Sequence, residues 1–419
     1  MRLRRPCVRS RRRPLLRAHG RRRRIAASAV PLALCGTLAL ACSSPEPADP
    51  SYSSSLPTAS ADAIAARGTL VSSSTETPFD PADFPDGTTA ETIVYNSISG
   101  VTGESTEVTG ALFVPSGPAP ASGRQIVAYA HGTVGITPGC APTEASDLSG
   151  DAGTVSYLLE QGYAVAYTDY QGLSSTVDAP AHPYLEPRTA AFDVIDSVRA
   201  ARNVDPSLST RWVAVGTSQG GQAAWAANEY NETYGDGLQL VGTAALSPAL
   251  DVSPVVALAG QSSISGGQRT VYPMIVEGAA TVDPSIVPSD YLHGVLGEKT
   301  PALISCGPGS GPAKTAAAQP ETGDTVPAST EAAERLTSLL QKYSLPKAAS
   351  AAPIVTFYGT ADDIVQPAWT ETALGIACGF GDTVLRVPLQ GQGHSVDPGE
   401  LLITWIADRF AGVPAPSNC

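Results

Sequence analysis

One short stretch constrains most of what can surround it. Gly216-Thr217-Ser218-Gln219-Gly220 follows an apolar run, Trp212-Val213-Ala214-Val215, and leads into a helix-like segment from Gln222. A serine therefore sits on a strand-to-helix turn. Such a turn presents its hydroxyl to solvent only where the flanking positions carry no side chain to strike neighbouring backbone, which accounts for Gly216 and Gly220. The same turn aims the N–H groups of the helix start at an approaching oxygen. In a chain with 40 glycines among 419 residues, the five-residue string alone carries little weight. The strand before it and the helix after it give it meaning.

From about residue 90 the pattern alternates strand and helix, which argues for an α/β sheet of mostly parallel strands with helices on both faces. Residues 92–99 and 107–114 read as an antiparallel hairpin. Residues 125–130, 164–168 and 212–216 read as central strands, because their unbroken apolar character suits burial on both faces. Helices are expected over 154–161, 188–203 and 222–234, and a strand over 240–246. That is the order of an α/β-hydrolase. Over 251–350 the rhythm breaks into helix-length pieces at 254–259 and 288–296. A Gly/Pro/Ala/Thr-rich stretch at 307–330, expected to be a mobile loop, and an amphipathic helix at 331–343 follow. This segment reads as a helical cap inserted over the sheet. Strands resume at 353–358 and 383–388, and a helix over 399–410 closes the chain. The expected plan is an export signal (1–41), a flexible stalk (42–60), a first part of the core (61–250), the cap (251–350) and a second part of the core (351–419).

A serine hydroxyl is a weak nucleophile and needs a base, for which imidazole suits neutral pH. Of five histidines, His19 lies in the signal, and His182 and His293 have no supporting context. His131 belongs to another motif. His394, in Gln390-Gly391-Gln392-Gly393-His394-Ser395, directly follows the last expected strand, where a loop can swing the ring over Ser218. The ring needs a carboxylate to hold one tautomer and balance its developing charge. Asp362, in the turn after strand 353–358, is the first candidate, with the adjacent Asp363 and the earlier Asp251 as rivals. The carbonyl oxygen of a reacting ester or amide would need donors. These are expected to be the N–H of Gln219 and, in Ala130-His131-Gly132-Thr133-Val134-Gly135, the N–H of Thr133, with Gly132 and Val134 close behind. His131 would shape that loop, and Asp169-Tyr170-Gln171-Gly172 would help to shape the pocket. No metal site or cofactor is expected, because the acids lack histidine partners at ligand spacing and no Gly-rich phosphate loop is present.

Residues 1–24 hold twelve arginines and no acid, ahead of an uncharged segment that ends near Cys42. This reads as an export signal. Leu38-Ala39-Leu40-Ala41-Cys42 resembles a lipoprotein box, and the Ser/Pro-rich stretch behind it suits a stalk; a simple cleavage after Ala41 is the alternative. The mature chain keeps 14 basic residues against 39 acidic ones. Such an acidic surface excludes nucleic acid as a partner and suits neutral or apolar substrates. With Cys42 acylated, Cys140, Cys306, Cys378 and Cys419 remain, an even set in an exported chain and hence two disulfides, for which the sequence allows three pairings.

With the elbow, the His131-Gly132-Thr133 loop followed by Gly139-Cys140-Ala141-Pro142, the Gly359-Thr360-Ala361-Asp362-Asp363 turn and Gly391-Gln392-Gly393-His394 in place, residues 60–419 resemble the secretory lipase family. The resemblance implies hydrolysis of carboxylic esters through an acyl-enzyme, with Ser218 as nucleophile, His394 as base and Asp362 as orienting acid. It also implies a cap over the acyl site and disulfides Cys140–Cys306 and Cys378–Cys419. The Gly/Pro-rich 301–330 segment and the lipoprotein-like start depart from the family pattern. The expected enzyme is an exported, cofactor-free monomer acting on small-molecule or lipid esters. A peptidase or acyltransferase using the same residues, or a non-catalytic binding protein, is the rival reading.

Overall fold

The computed structural model describes residues 58–307, 309–319 and 323–419. The expected export signal, Cys42 and the stalk up to residue 57 lie outside the described residues. Among the described residues nine strands form one sheet: β1 (Leu70–Ser74), β2 (Thr89–Ile98), β3 (Ser105–Val114), β4 (Arg124–Ala130), β5 (Ala164–Thr168), β6 (Leu208–Thr217), β7 (Gln239–Leu246), β8 (Ile354–Gly359) and β9 (Val384–Leu389). Their spatial order is β1-β2-β3-β5-β4-β6-β7-β8-β9. Pairings from β1 to β5 are antiparallel and those from β5 to β9 parallel. Helices α1 (Ala61–Ala66), α2 (Ala152–Glu160), α3 (Pro187–Val204) and α4 (Gln219–Tyr234) precede β7. Between β7 and β8 lie α5 (Val255–Gly260), α6 (Gly266–Val282), α7 (Gly294–Leu303), α8 (Ser310–Ala317) and α9 (Thr330–Tyr343), while α10 (Pro367–Phe380) and α11 (Glu400–Ala411) complete the chain.

The central strands show why the two faces take different helices. Successive side chains of a strand point to opposite faces, and here one face carries small residues toward the C-terminal ends of the strands, beyond Ile126 and Trp212. Ala128 and Ala130 of β4, Ala166 of β5 and Ala214 of β6 pack with Val194, Ile195 and Val198 of α3 and Ala223, Ala224 and Ala227 of α4. The other face carries bulk. Val127 and Tyr129, Val165 and Tyr167, and Val213 and Val215 pack with Val155 and Leu158 of α2 and with Trp405 and Ile406 of α11. In register, Val127 pairs with Val165 on one side and Val213 on the other. The alanine face lets α3 and α4 approach closely, which brings the start of α4 over the strand ends.

Two expectations for the segment between β7 and β8 are corrected. Residues 288–296 are not one helix. A 3₁₀ turn at Pro288–Asp290 gives way to buried Tyr291, and α7 begins at Gly294, whose φ of 50° turns the chain. His293 is held at the break by its N–H on the Asp324 carbonyl (2.8 Å) and its Nε2 against the Val326 carbonyl (3.0 Å). Nor is 307–330 simply a loop. It contains α8, with Ala313 and Ala317 buried, and Asp324, which pairs with Arg269 of α6 at 3.2 Å in a buried setting and accepts the Leu296 N–H (3.3 Å). Thr325 is also buried and donates to the Ala259 carbonyl. Helix α6 itself escaped the sequence reading because Gly266-Gly267 opens it and Pro273 sits inside it. Its start is nonetheless written in Ser265 and Gln268, which form a reciprocal capping box.

The Arg269–Asp324 pair locks α6 to the segment after α8, and removing one partner would strand the other charge in apolar surroundings. Arg269→Met is therefore expected to destabilise the protein by about 3 kcal/mol. Denaturant unfolding checks this, with amide exchange rising first between residues 260 and 330. A change below about 0.5 kcal/mol would contradict it.

Candidate active site

The site is built at the C-terminal ends of β4, β6, β8 and β9. Ser218 adopts φ 57° and ψ −115°, a conformation that is costly for any residue with a Cβ. Three backbone hydrogen bonds hold it: its N–H donates to the Leu246 carbonyl (2.8 Å), and its carbonyl accepts from Gln222 (3.1 Å) and Ala249 (3.1 Å). The glycines do what the turn requires. A Cβ on Gly216 would strike the Gly220 carbonyl, and one on Gly220 would strike the carbonyls of Ala130 and His131. The elbow thus lies directly on the end of β4.

Ser218 Oγ is 2.8 Å from His394 Nε2, and His394 Nδ1 is 2.7 Å from Asp362 Oδ2. A carboxylate only accepts, so Nδ1 carries the proton and Nε2 is left as the acceptor for the serine O–H. Asp362 Oδ1 accepts the N–H groups of Ile364 (2.9 Å) and Val365 (3.0 Å), which fixes the carboxylate from behind. Its two rivals are placed elsewhere. Asp363 lies against the start of α6 beside Gly267, and Asp251 accepts the Ser253 N–H in a local turn (2.9 Å).

The loop carrying His394 and the turn carrying Asp362 touch backbone to backbone. The Ala361 N–H donates to the Gln392 carbonyl (2.9 Å) and the Thr360 N–H to that of Leu389 (3.1 Å), while the Gly391 N–H donates to Thr360 Oγ1 (2.9 Å). Gly359 makes this approach possible, since a Cβ there would collide with the carbonyls of Gln392 and Gly393. The sequence names Gly359 only as part of its turn, although a glycine ending a β-strand is a signal of close backbone approach.

Gln219 begins α4, and among the described residues no protein group accepts its N–H or that of Thr133. Thr133 lies with Gly132 in the wall of the Ser218 cavity, and its hydroxyl is 2.7 Å from the Tyr184 hydroxyl. The Thr133 loop is tied down further along by the Ile136 N–H on the Ile304 carbonyl (2.8 Å) and by disulfide Cys140–Cys306. The second disulfide, Cys378–Cys419, fastens the C-terminus to α10. Both pairings are those the resemblance implied. His131 is fully buried, with Nδ1 2.6 Å from the Gly132 carbonyl and its ring stacked on Tyr167.

Asp169 does not line the cavity. It is buried behind it, accepting from Thr109 (2.7 Å), from the Thr143 N–H (3.0 Å) and from the Thr143 hydroxyl. Burial raises its pKa while those donors oppose the rise. His182, set aside for lack of context, is also buried and touches the Gln219 side chain; burial lowers its pKa to about 4.

The cavity over Ser218 has a volume of about 320 Å³. Its far wall comes from α5 and α6, with Val255 from the first and Val271, Met274 and Ile275 from one face of the second; Ile364, Val365 and Trp369 close the side, and Lys314 is its one lysine. The result is an apolar chamber with one reactive corner.

Comparison with known proteins bears on the fold and the family. Residues 141–288 match the model of the secretory lipase family. No curated protein matches the chain in sequence. Among solved structures, Candida antarctica lipase A in its closed state superposes with a TM-score of 0.66 at 17% identity, covering 88% of this chain and 89% of that one. The rice cell wall degrading esterase LipA from Xanthomonas oryzae superposes with a TM-score of 0.65 at 21% identity, covering 83% and 97%. The chain has the α/β-hydrolase fold and resembles the secretory lipases. By that family match it is an ester-hydrolysing enzyme. The two superpositions carry the fold, and the matched segment runs from the residue after Cys140, through the elbow, to just beyond α6.

Because only glycine lets the two loops meet, Gly359→Ala is expected to push the 390–394 loop outward and lengthen the His394–Asp362 bond. The downfield proton NMR resonance of the Nδ1–H should shift upfield or vanish in the variant. An unchanged resonance would show that the loops approach without help from Gly359.

Proposed function

We propose that the protein is an exported serine carboxylesterase or lipase in which Ser218, His394 and Asp362 form the catalytic triad. The observation that carries this reading is the continuous hydrogen-bonded chain from Ser218 through His394 to Asp362, opening into an apolar chamber. Ser218 Oγ attacks the ester carbonyl carbon as His394 Nε2 takes its proton, and Asp362 balances the imidazolium. The N–H groups of Gln219 and Thr133 receive the oxyanion. His394 then returns the proton to the departing alkoxide, and the alcohol leaves an acyl-Ser218. A water deprotonated by His394 attacks the acyl carbon, and the proton passes back to Ser218 as the acid departs.

The wall built by α5 and α6 supports the further reading that the 251–350 segment acts as a cap and that the chamber receives the acyl chain. The triad is complete within one chain, which suits a monomer. No described helix is long and apolar enough to cross a membrane. The box ending at Cys42 and the Ser/Pro-rich stretch after it support an acylated Cys42 as tether.

Two measurements test these readings. Hydrolysis of p-nitrophenyl esters from acetate to palmitate should fall by about 10⁴-fold in kcat for Ser218→Ala, and the preferred chain should shorten in Val271→Trp, which fills the chamber. Ester hydrolysis undiminished in Ser218→Ala would reject the triad; peptide anilides turned over better than any ester would favour a peptidase. For the tether, Cys42→Ser should move the protein from the membrane to the soluble fraction and abolish incorporation of labelled fatty acid. A wild-type chain already soluble and unlabelled would sink that part alone.

A further inference from the structure

Two hydroxyl groups meet in the wall of the chamber. Thr133 Oγ1 and Tyr184 Oη are 2.7 Å apart, and both residues line the cavity that contains Ser218 and His394. Each hydroxyl brings one hydrogen and can also accept. One hydrogen lies between the two oxygens, and among the described residues no protein group accepts the other. The pair therefore holds one committed O–H and one uncommitted O–H.

Chemistry and burial decide which residue keeps the uncommitted hydrogen. A phenol is a stronger acid than an alkyl hydroxyl and a poorer acceptor, so the favoured arrangement has Tyr184 donating to Thr133 Oγ1. Burial acts in the same direction. Tyr184 is buried whereas Thr133 is half-buried, and a hydrogen without a partner costs more in the more buried place. The phenol keeps its proton at neutral pH, because burial pushes it up to about 12, with the Thr133 hydrogen bond opposing the rise. Thr133 is left with a free O–H, close to its own N–H, which no described protein group accepts either.

The backbone sets that residue beside the nucleophile. A Cβ on Gly220 would strike the carbonyls of Ala130 and His131, and one on Gly132 would lie 3.5 Å from the Thr217 carbonyl. The chain from Ala130 to Gly132 thus runs along the elbow, and Thr133 is the next residue. Its partner is fixed from another side. Tyr184 lies in the loop between β5 and α3, and a Cβ on Gly278 of α6 would strike the Tyr184 Cβ. Glycine in the middle of a helix is unfavourable, and here it lets α6 lie directly on the Tyr184 backbone.

We propose that the Thr133 hydroxyl is a third donor to the oxyanion, oriented by the Tyr184 hydroxyl. This deepens the reading of Ser218 as nucleophile, with the N–H groups of Gln219 and Thr133 as oxyanion donors, and rests on it. As Ser218 Oγ bonds to the ester carbon, the π pair of the carbonyl moves onto its oxygen. The charge that develops there meets the N–H and O–H of Thr133 and the N–H of Gln219. The Thr133 hydrogen stays on its own oxygen throughout. When the tetrahedral intermediate collapses, the pair returns to the C=O bond as the alkoxide leaves.

Tyr184 is a positioning residue. Its O–H occupies one side of Thr133 Oγ1 and restricts rotation of the side chain, so the donor is in place before charge develops. Hydrogen bonds in a chain also polarise one another, which makes the Thr133 O–H a stronger donor while Oγ1 accepts from the phenol.

Thr133→Val removes the hydroxyl and keeps the N–H. Its kcat on a p-nitrophenyl ester should fall about 100-fold at nearly constant KM, and Thr133→Ser, which restores an O–H, should return to within about fivefold of wild type. A valine variant within about threefold of wild type, or a serine variant no better than valine, would overturn the proposal. For Tyr184 the test is a double-mutant cycle. Tyr184→Phe should lower kcat about tenfold alone, but no more than about twofold when residue 133 is already valine. An equal loss in both backgrounds would show that Tyr184 acts without Thr133, against the positioning role.

A pair of ligands separates a lost donor from a damaged chamber. An alkyl trifluoromethyl ketone adds Ser218 to its carbonyl and gives a hemiketal whose oxyanion occupies the donor site; the trifluoromethyl carbinol of the same chain fills the chamber without one. In Thr133→Val the ketone should bind about 100-fold more weakly and the carbinol as in wild type. Equal weakening of both would assign the loss to the chamber and overturn the proposal. Wild-type protein that forms no adduct at Ser218 would overturn the triad and this inference with it, whereas a Ser218 adduct insensitive to Thr133→Val would overturn this inference alone.

Discussion

The backbone of Ser218 is the constraint on which the rest depends. A residue with a Cβ at φ 57° and ψ −115° carries strain on the order of 1–3 kcal/mol, and it persists only because its surroundings leave no alternative. Its N–H and carbonyl are tied to Leu246, Gln222 and Ala249, and Gly216 and Gly220 let β6 and α4 close on the carbonyl end of β4. From that packing follows the placement of the Thr133 loop, which leaves β4 at the same point. The alanine-lined face of the sheet serves the same end, because bulkier residues at 128, 130 or 214 would lift α3 and α4 away.

The elbow, the alternation of strands and helices and the order serine, acid, histidine were legible in the sequence because each is a local pattern. Trp212 to Gly220 carries its own strand, turn and helix start, and Leu336, Leu339 and Leu340 mark their helix by spacing alone. What escaped depended on contacts made far along the chain. Helix α6 is disguised by Pro273 and two glycines and is held by Arg269 reaching Asp324. The 307–330 stretch looks like a loop by composition, but Ala313, Ala317 and Thr325 are buried by neighbours the local pattern does not name. The roles of His182 and Gly359 are hidden for the same reason. The meaning of His182 lies in Gln171 and Gln219, and that of Gly359 in carbonyls more than thirty residues away.

Around the reactive corner the chain divides its labour between apolar and polar walls. Val255, Val271, Met274 and Ile275 give a chamber suited to an apolar chain, with the water-excluding character that strengthens hydrogen bonds at its end. Behind it, the polar residues do not line the chamber but fix what does: Asp169 gathers Thr109 and Thr143, and His182 holds the Gln219 side chain. Disulfide Cys140–Cys306 joins the two systems, since it ties the segment after the Thr133 loop to the residues that follow α7.

The central claim is that the strained elbow makes Ser218 a nucleophile activated by His394. Fluorophosphonate labelling followed by peptide mapping tests it most directly, because the probe reports activation at a single atom and needs no knowledge of the natural ester. The account predicts one adduct, on Ser218, forming far more slowly in His394→Ala. Labelling at another residue, or at Ser218 with equal speed when His394 is absent, would contradict it.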